Sequence, residues 1–243
     1  MVAEISRARH EIGSHSVEQC LLSGMRDHGT GTLLAEQIDY YRAAAPEYFQ
    51  GALDFPGLDE FERALAEFAP SGDVLELACG PGTWTPELAR HASTLTAVDS
   101  SPEMLRVARE RTPDQHVRFE LGDLFDWRAE RRYDVVFFGF WISHVPLDRF
   151  ADFWALVAGC LAPGGRVLFI DDAHRTPDEL IEGEGSSTIR RRLSDGTQHR
   201  AVKVPHEPAE LQDRLTGLGW DIEVRPTSGP FYWGHGQPVQ SAA

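Results

Sequence analysis

The chain has 243 residues and a formal net charge of −15 at neutral pH, long enough for one sizeable hydrophobic core and of the wrong sign for broad contact with nucleic acid or anionic lipid. No stretch approaches the roughly 18 consecutive apolar residues of a membrane span, and the N-terminus lacks the apolar core of a secretory signal. The three cysteines, Cys20, Cys79 and Cys160, have neither paired nor metal-ligand spacing, so a reduced cytoplasmic protein with no disulfide and no metal is expected.

Residues 1 to about 30 lack periodicity and read as a flexible arm, in which Met25 offers an alternative start and His10, His15 and His28 match no ligand spacing. Residues 31–243 are expected to form one domain. LLAEQIDYYRAAAPEYF (33–49) has a helical pattern, with Tyr40, Tyr41 and Tyr48 reading either as a cover over a ligand or as packing aromatics. GLDEFERALAEFAP (57–70) is an amphipathic helix ended by Pro70. In DVLELACGPGTWT (73–85), Val74, Leu75 and Leu77 make an apolar strand, Gly80 and Gly82 break it, and a helix starts near Thr83. TLTAVDS (94–100) is a second strand, SPEMLRVARER a helix capped by Ser101 with Pro102 in its first turn, and VRFELGD (117–123) a third strand. YDVVFFGF (133–140), a helix from LDRFADFWALVAGCLAP, and GRVLFIDD (165–172) continue the alternation. Apolar strands separated by helices predict an α/β fold with a parallel sheet covered on both faces and ligands at the carboxyl ends of its strands.

The Gly80 to Gly82 turn allows a ligand close to the backbone and aims free helix N–H groups at it, an arrangement suited to nucleotide-type cofactors. Thr85 replaces the third glycine of a dinucleotide fingerprint. Glu76, just before the turn, repels a pyrophosphate and attracts an ammonium group. Two further acids close strands. Asp99 follows the turn by about 20 residues, the spacing at which a carboxylate reaches ribose hydroxyls. Asp123 is placed to accept from an exocyclic amine such as that of adenine. Taken singly, each acid also suits a helix cap.

In this order, ELACGPG, AVDSSPEML, GDLFDW, YDVVFFGFWISHV and LAPGGRVLFID resemble the class I S-adenosylmethionine-dependent methyltransferase family, over roughly residues 35 to 235. The resemblance implies a Rossmann-like, mostly parallel seven-stranded sheet under an N-terminal helical cover. Its last strands come from GWDIEV and PFYWGHG, the final one antiparallel. It implies S-adenosylmethionine as cofactor, S-adenosylhomocysteine as product and no metal. The turn at Gly80 and Gly82 then holds the methionine part with Glu76 near its ammonium, Asp99 takes the ribose, and Asp123 and Leu124 take the adenine. Tyr40, Ala78, Ser100, Met104, Phe125 and Gly139 complete the implied cofactor contacts; Ala78 stands where many members carry Gly. YYRAAAPEY, FWISHVPLDRFADFW and RRRLSDGTQHRAVKV, followed by PAELQDRLTGLGW, are similar to a phosphonate O-methyltransferase, that of dehydrophos biosynthesis, from which this chain departs at Phe55 and Phe140.

Residues 173–206 form an insertion after the fifth strand, and TIRRRLSDGTQHRAVKV reads as two strands joined at Asp195 and Gly196. It gathers Arg190, Arg191, Arg192, Arg200 and Lys203 against Asp195 alone, in a strongly acidic chain. A two-residue loop puts Arg190, Arg192, His199 and Lys203 on one face. A three-residue loop with a left-handed Gly196 puts Arg191, His199 and Lys203 there. The hairpin is either a charged edge that resists aggregation or a lid offering Arg190, Arg191 and Lys203 to an anionic substrate. His144, just past the fourth strand, lies where the family places its acceptor, and Trp141 either lines the pocket or packs in the core. For a phenol or alcohol, His144 is the expected general base; a phosphonate or carboxylate oxygen is already anionic, and His144 then only orients it.

The expected activity is O-methylation of a small anionic specialised metabolite, a phosphonate or carboxylate, by in-line displacement, with no nucleic-acid or membrane partner. The alternatives are N-methylation of a small amine, a cofactor-binding protein without catalysis, and a nicotinamide-dependent oxidoreductase.

Overall fold

The computed structural model describes residues 29–48, 56–172, 175–183 and 187–239. The expected arm up to residue 28, Phe55, and residues 173–174 and 184–186 of the insertion lie outside the described residues. Helix α1 occupies 29–44 and so includes Gly29 and Thr30, grouped above with the arm.

The strands β1 (Gly72–Leu77), β2 (Ala92–Asp99), β3 (Val117–Leu121), β4 (Tyr133–Gly139) and β5 (Leu161–Asp172) pair in parallel in the order β3-β2-β1-β4-β5. The insertion makes a separate antiparallel hairpin of β6 (Thr188–Arg192) and β7 (Gln198–Val202). β8 (Trp220–Pro226) and β9 (Phe231–Pro238) complete a seven-stranded sheet, with β9 antiparallel between β5 and β8. This is the Rossmann-like arrangement the resemblance implies.

Both sheet faces are covered, which explains the unbroken apolar strands. Alternate residues of β4 serve opposite cores. Val135 and Phe137 meet Phe61 and Leu65 of α2 (Leu58–Phe68) and Leu88 of α3 (Thr85–His91). Val136 and Phe138 meet Phe153, Trp154 and Val157 of α5 (Phe150–Cys160), where Phe138 stacks on Phe169 with ring centroids 5.4 Å apart. Each such fully buried side chain stabilises the fold by about 1.5–3 kcal/mol. Ser101 caps α4 (Pro102–Arg111) by accepting from the Met104 N–H at 3.1 Å, with Pro102 at the first helical position, where its missing N–H costs nothing. α6 (Pro208–Gly217) buries Leu211 and Leu215 against the second core. No helix among the described residues is long and apolar enough to cross a membrane.

Apart from Ala69, which ends α2, the left-handed non-glycine residues among the described residues lie where parallel strands end: Ala78 (φ 51°), after β1, and Phe140 (φ 57°), after β4. The left-handed turn explains why Gly suits position 78; Ala there costs roughly 1–2 kcal/mol. Such strain persists only where the surroundings enforce it, and it clusters at ligand sites.

Candidate active site

The carboxyl ends of β1, β2 and β4 surround a solvent-open cleft, about 800 Å³ with its mouth included, roofed by Tyr41 of α1 and Tyr48. Its wall includes Glu76, Ala78, Gly80, Asp99, Ser100, Met104, Gly139, Trp141 and His144. A smaller recess shares Tyr41, Ala78, Asp99, Ser100 and Trp141 with it, and adds Asp123, Leu124, Phe125 and the α1 residues Leu34, Gln37 and Ile38. Thus nearly all the expected cofactor residues meet in one bipartite cavity. Gly82 and Tyr40 stand outside it. A Cβ on Gly82 would lie 3.1 Å from Ala108, so this glycine lets α4 pack against the turn. Tyr40 instead packs on Tyr41 and His199 and lines a groove beside the hairpin.

Asp99 organises the turn. Its Oδ2 accepts from the Gly80 N–H and its Oδ1 from the Ser101 N–H, both at 2.8 Å, which ties the glycine turn to the start of α4. Burial raises its pKa against these backbone donors. Two carboxylate oxygens offer about four acceptor sites, so ligand hydroxyls can still be accommodated. Glu76 is 1% exposed and accepts from Thr85 Oγ1 at 2.6 Å. Burial pushes its carboxyl up to about 8, and a cation placed beside it would favour the ionised form. Asp123 turns one oxygen back on the Phe125 N–H at 3.0 Å, fixing the loop that presents Leu124 and Phe125.

The residues fit a nucleoside carrying an ammonium group: a buried carboxyl at Glu76, a second acid, Asp99, at the end of β2, and an open space above Gly80, where a Cβ would touch nothing within 4 Å. Gly139 is also constrained, since a Cβ there would fall 2.7 Å from the Trp84 indole nitrogen. Among the described residues no cluster of His, Cys, Asp or Glu could hold a metal ion.

His144 sits in a short 3₁₀ turn (Ile142–His144) after β4 and is 4% exposed. Its Nδ1 lies 2.6 Å from the Val202 carbonyl, which can only accept, so Nδ1 carries the proton. Nε2 then holds the lone pair and receives the Tyr41 hydroxyl at 2.9 Å. Burial, reinforced by Lys203 and Arg191, holds its pKa well below the usual imidazole value. The ring is neutral at physiological pH.

The hairpin takes the three-residue loop: Gly196 is left-handed (φ 89°), the Gly196 N–H reaches the Leu193 carbonyl, and Arg191 pairs with His199. Arg191 and Lys203 therefore lie on the inward face and Arg190, paired with Arg200, on the other; Arg190 and Arg191 both line the groove next to Tyr40, and neither Arg191 nor Lys203 forms part of the cleft wall. The inward cations already have partners. Arg191 is ion-paired with Glu179. Lys203, 3% exposed at its side chain, donates to Asp172 at 2.9 Å and Ser143 at 3.1 Å, with Asp171 3.6 Å away. Arg200 pairs with Glu36 of α1 at 2.9 Å.

Sequence reasoning missed Asp171, Asp172, Gln37, Phe140 and Trp84. The rule that picked out Asp99 and Asp123, acids at strand ends, would also have found FIDD at the end of β5. Leu34, Gln37, Ile38 and Tyr41 follow the 3-and-4 spacing of one helix face, a signal that separates Tyr41 from Tyr40.

The Methyltransferase domain family model matches residues 74–165. The ubiquinone biosynthesis O-methyltransferase of Xanthomonas axonopodis pv. citri (strain 306) is 32% identical over 180 residues, 70% of this chain and 71% of that protein. The protein of the same description from Xanthomonas campestris pv. campestris (strain B100) is 30% identical over 201 residues, 79% of each. Among solved structures, the DhpI–SAH complex is 39% identical with a TM-score of 0.74, covering 86% of this chain and 98% of that one. The DhpI–SAM–HEP complex gives 40% and 0.75, covering 85% and 98%. The glycopeptide N-methyltransferase MtfA with S-adenosylmethionine, at 21% identity and a TM-score of 0.57 over 76% of this chain and 96% of that one, shares the fold.

Proposed function

Because the chain belongs to the S-adenosylmethionine-dependent methyltransferase family, we propose that it methylates an oxygen of a small anionic metabolite, a phosphonate in the first instance and a carboxylate in the second. The observation that carries this reading is Arg191, which lies on the inward face of the hairpin and lines the groove beside Tyr40, whose ring packs on Tyr41 of the cleft roof. An Arg fork suits the oxygens of a phosphonate, and Glu179 is the internal anion such a substrate would displace. The likeness to DhpI, solved with SAM and HEP, supports the same class.

S-adenosylmethionine held in the cleft would supply an electrophilic sulfonium methyl group to the acceptor oxygen, the C–S bond pair leaving with S-adenosylhomocysteine. The chain's contribution is placement and exclusion of water, which together are worth several kcal/mol. Glu76 gives up its proton to hold the ammonium, Asp99 fixes the turn and the ribose, and Leu124 and Phe125 wall the adenine recess. Tyr41 and Tyr48 close the roof, Trp141 joins the two halves of the cavity, and His144 positions the Tyr41 hydroxyl through Nε2. An anionic acceptor has no proton to lose, so a neutral His144 suffices.

The same neutral His144 supports a second reading. A phenol or an amine that displaces the Tyr41 hydroxyl from this free-base nitrogen could pass its proton there as the methyl group arrives. Labelled S-adenosylmethionine, offered with alkylphosphonates, carboxylates, phenols and amines, separates the two. Transfer to the phosphonates or carboxylates supports the anionic reading; transfer confined to phenols or amines replaces it.

A further inference from the structure

We propose that Gln37 is a positioning residue that sets the tautomer of His144, acting through the hairpin strand β7; the inference deepens the role given to His144 above and rests on it. Gln37 lies on α1 and is 2% exposed. Its Oε1 accepts from the Val202 N–H at 2.9 Å, and its Nε2 donates to the His144 carbonyl at 3.4 Å. The Val202 carbonyl in turn accepts from His144 Nδ1 at 2.6 Å. Three hydrogen bonds thus close a ring through three residues from three elements. The covering helix, the turn after β4 and the inserted hairpin are tied at a single point.

Position 37 demands an amide of this length. It must accept from a strand N–H and donate to a turn carbonyl at once, which an ionised Glu cannot do and an apolar side chain cannot do at all. Asn stops one methylene short of both partners. Losing the amide leaves the Val202 N–H and the His144 carbonyl buried without it, and each such group seeks another partner by moving. Val202 is also the residue that decides which ring nitrogen of His144 is protonated. The tautomer of an imidazole is set by the hydrogen bond its other nitrogen makes. With Val202 held, the Nε2 lone pair points to Tyr41 and the cleft; with Val202 released, the ring can exchange its proton between nitrogens or turn over. A competing anchor exists in the Val204 N–H, which reaches the Ser143 carbonyl at 2.7 Å. The experiment therefore has to separate the two.

The test uses the full chain with ¹⁵N-labelled histidine and long-range ¹H–¹⁵N spectra between pH 6 and 8, with His144→Ala to assign the ring. The wild type is expected to show His144 as one neutral form protonated at Nδ1. Gln37→Met is expected to lose that single signature to a mixture of tautomers. Gln37→Glu keeps the acceptor for Val202 and is expected to keep the single form. Should Gln37→Met fail to fold, Gln37→Asn takes its place with the same expectation. Identical His144 spectra in the wild type and in the Met or Asn variant overturn the proposal, as does a mixture in the wild type. No acceptor enters this measurement, so it stands apart from the catalytic reading. Undiminished methyl transfer by His144→Ala would remove that reading and leave the tautomer result unaffected.

Discussion

Tyr41 of α1 places its hydroxyl 2.9 Å from Nε2 of His144, across 103 positions of sequence, so the covering helix caps the one imidazole lone pair that faces the cleft. The rings also meet edge to face at 5.5 Å. A double-mutant cycle on stability with Tyr41→Phe and His144→Ala is expected to give a coupling of about 1 kcal/mol, the net worth of one buried hydrogen bond. Additive losses would mean that the phenol and the imidazole are neighbours without interaction.

Glu76 makes cofactor affinity depend on pH. Burial raises its carboxyl from 4.5 to about 8, so the free protein holds the proton and an incoming ammonium must expel it. Affinity for S-adenosylhomocysteine is expected to rise from pH 6 to 8 and to level off above, with proton uptake by the buffer visible in calorimetry. The sign for stability is opposite. The folded state binds the proton more tightly than the unfolded chain, so this group withdraws stability as pH rises from about 4.5 to about 8. Glu76→Gln should flatten both profiles, and an unchanged pH slope of affinity would remove Glu76 from the ammonium site.

Arg191→Ala is expected to raise the acceptor KM about tenfold or more, the worth of a charge-assisted hydrogen bond, with affinity for S-adenosylhomocysteine within about twofold. Glu179→Gln frees the guanidinium and should lower the same KM. Acceptor kinetics insensitive to both changes would leave the hairpin arginine a surface ion pair.

Lys203 is held among Asp171, Asp172 and Ser143, with Asp171 fully buried. Lys203→Met leaves those carboxylates uncompensated and is expected to cost about 3–5 kcal/mol in urea denaturation, part of which Asp171→Asn should restore. A stable Lys203→Met protein with a raised acceptor KM would instead make the ammonium a substrate contact.

Burial, followed by the Arg214 guanidinium, lowers the His206 imidazole from 6.5 to about 4. The unfolded chain protonates first, so stability is lost as pH falls from about 6.5 toward 4, by on the order of 2 kcal/mol at pH 5 for this residue. His144 adds to the loss in the same direction. His206→Leu should shrink the difference between urea midpoints at pH 7.5 and 5.

Much of the fold is legible in the residues because each strand and helix carries its own periodic pattern. Asp99 and Asp123 could be picked out because a parallel sheet puts every strand's carboxyl end on one edge, wherever the strands lie in sequence. Adjacent Tyr40 and Tyr41 point about 100° apart on a helix; the spacing of Leu34, Gln37, Ile38 and Tyr41 groups Tyr41 with one face, and packing against His144 shows that this face roofs the cleft.

What the sequence determined by itself was the order of elements, the glycine turn, the acids at the strand ends and the concentration of cations in the insertion. What the tertiary structure decided was how those charges are used. The hairpin register turned Arg191 and Lys203 inward, and Glu179, Asp171 and Asp172 met them there, while Gln37 closed on Val202 from 165 positions away. Local pattern follows from which face of a helix or strand must be buried. The partner of a buried charge or amide depends on which distant elements the sheet brings together, and no periodicity records that.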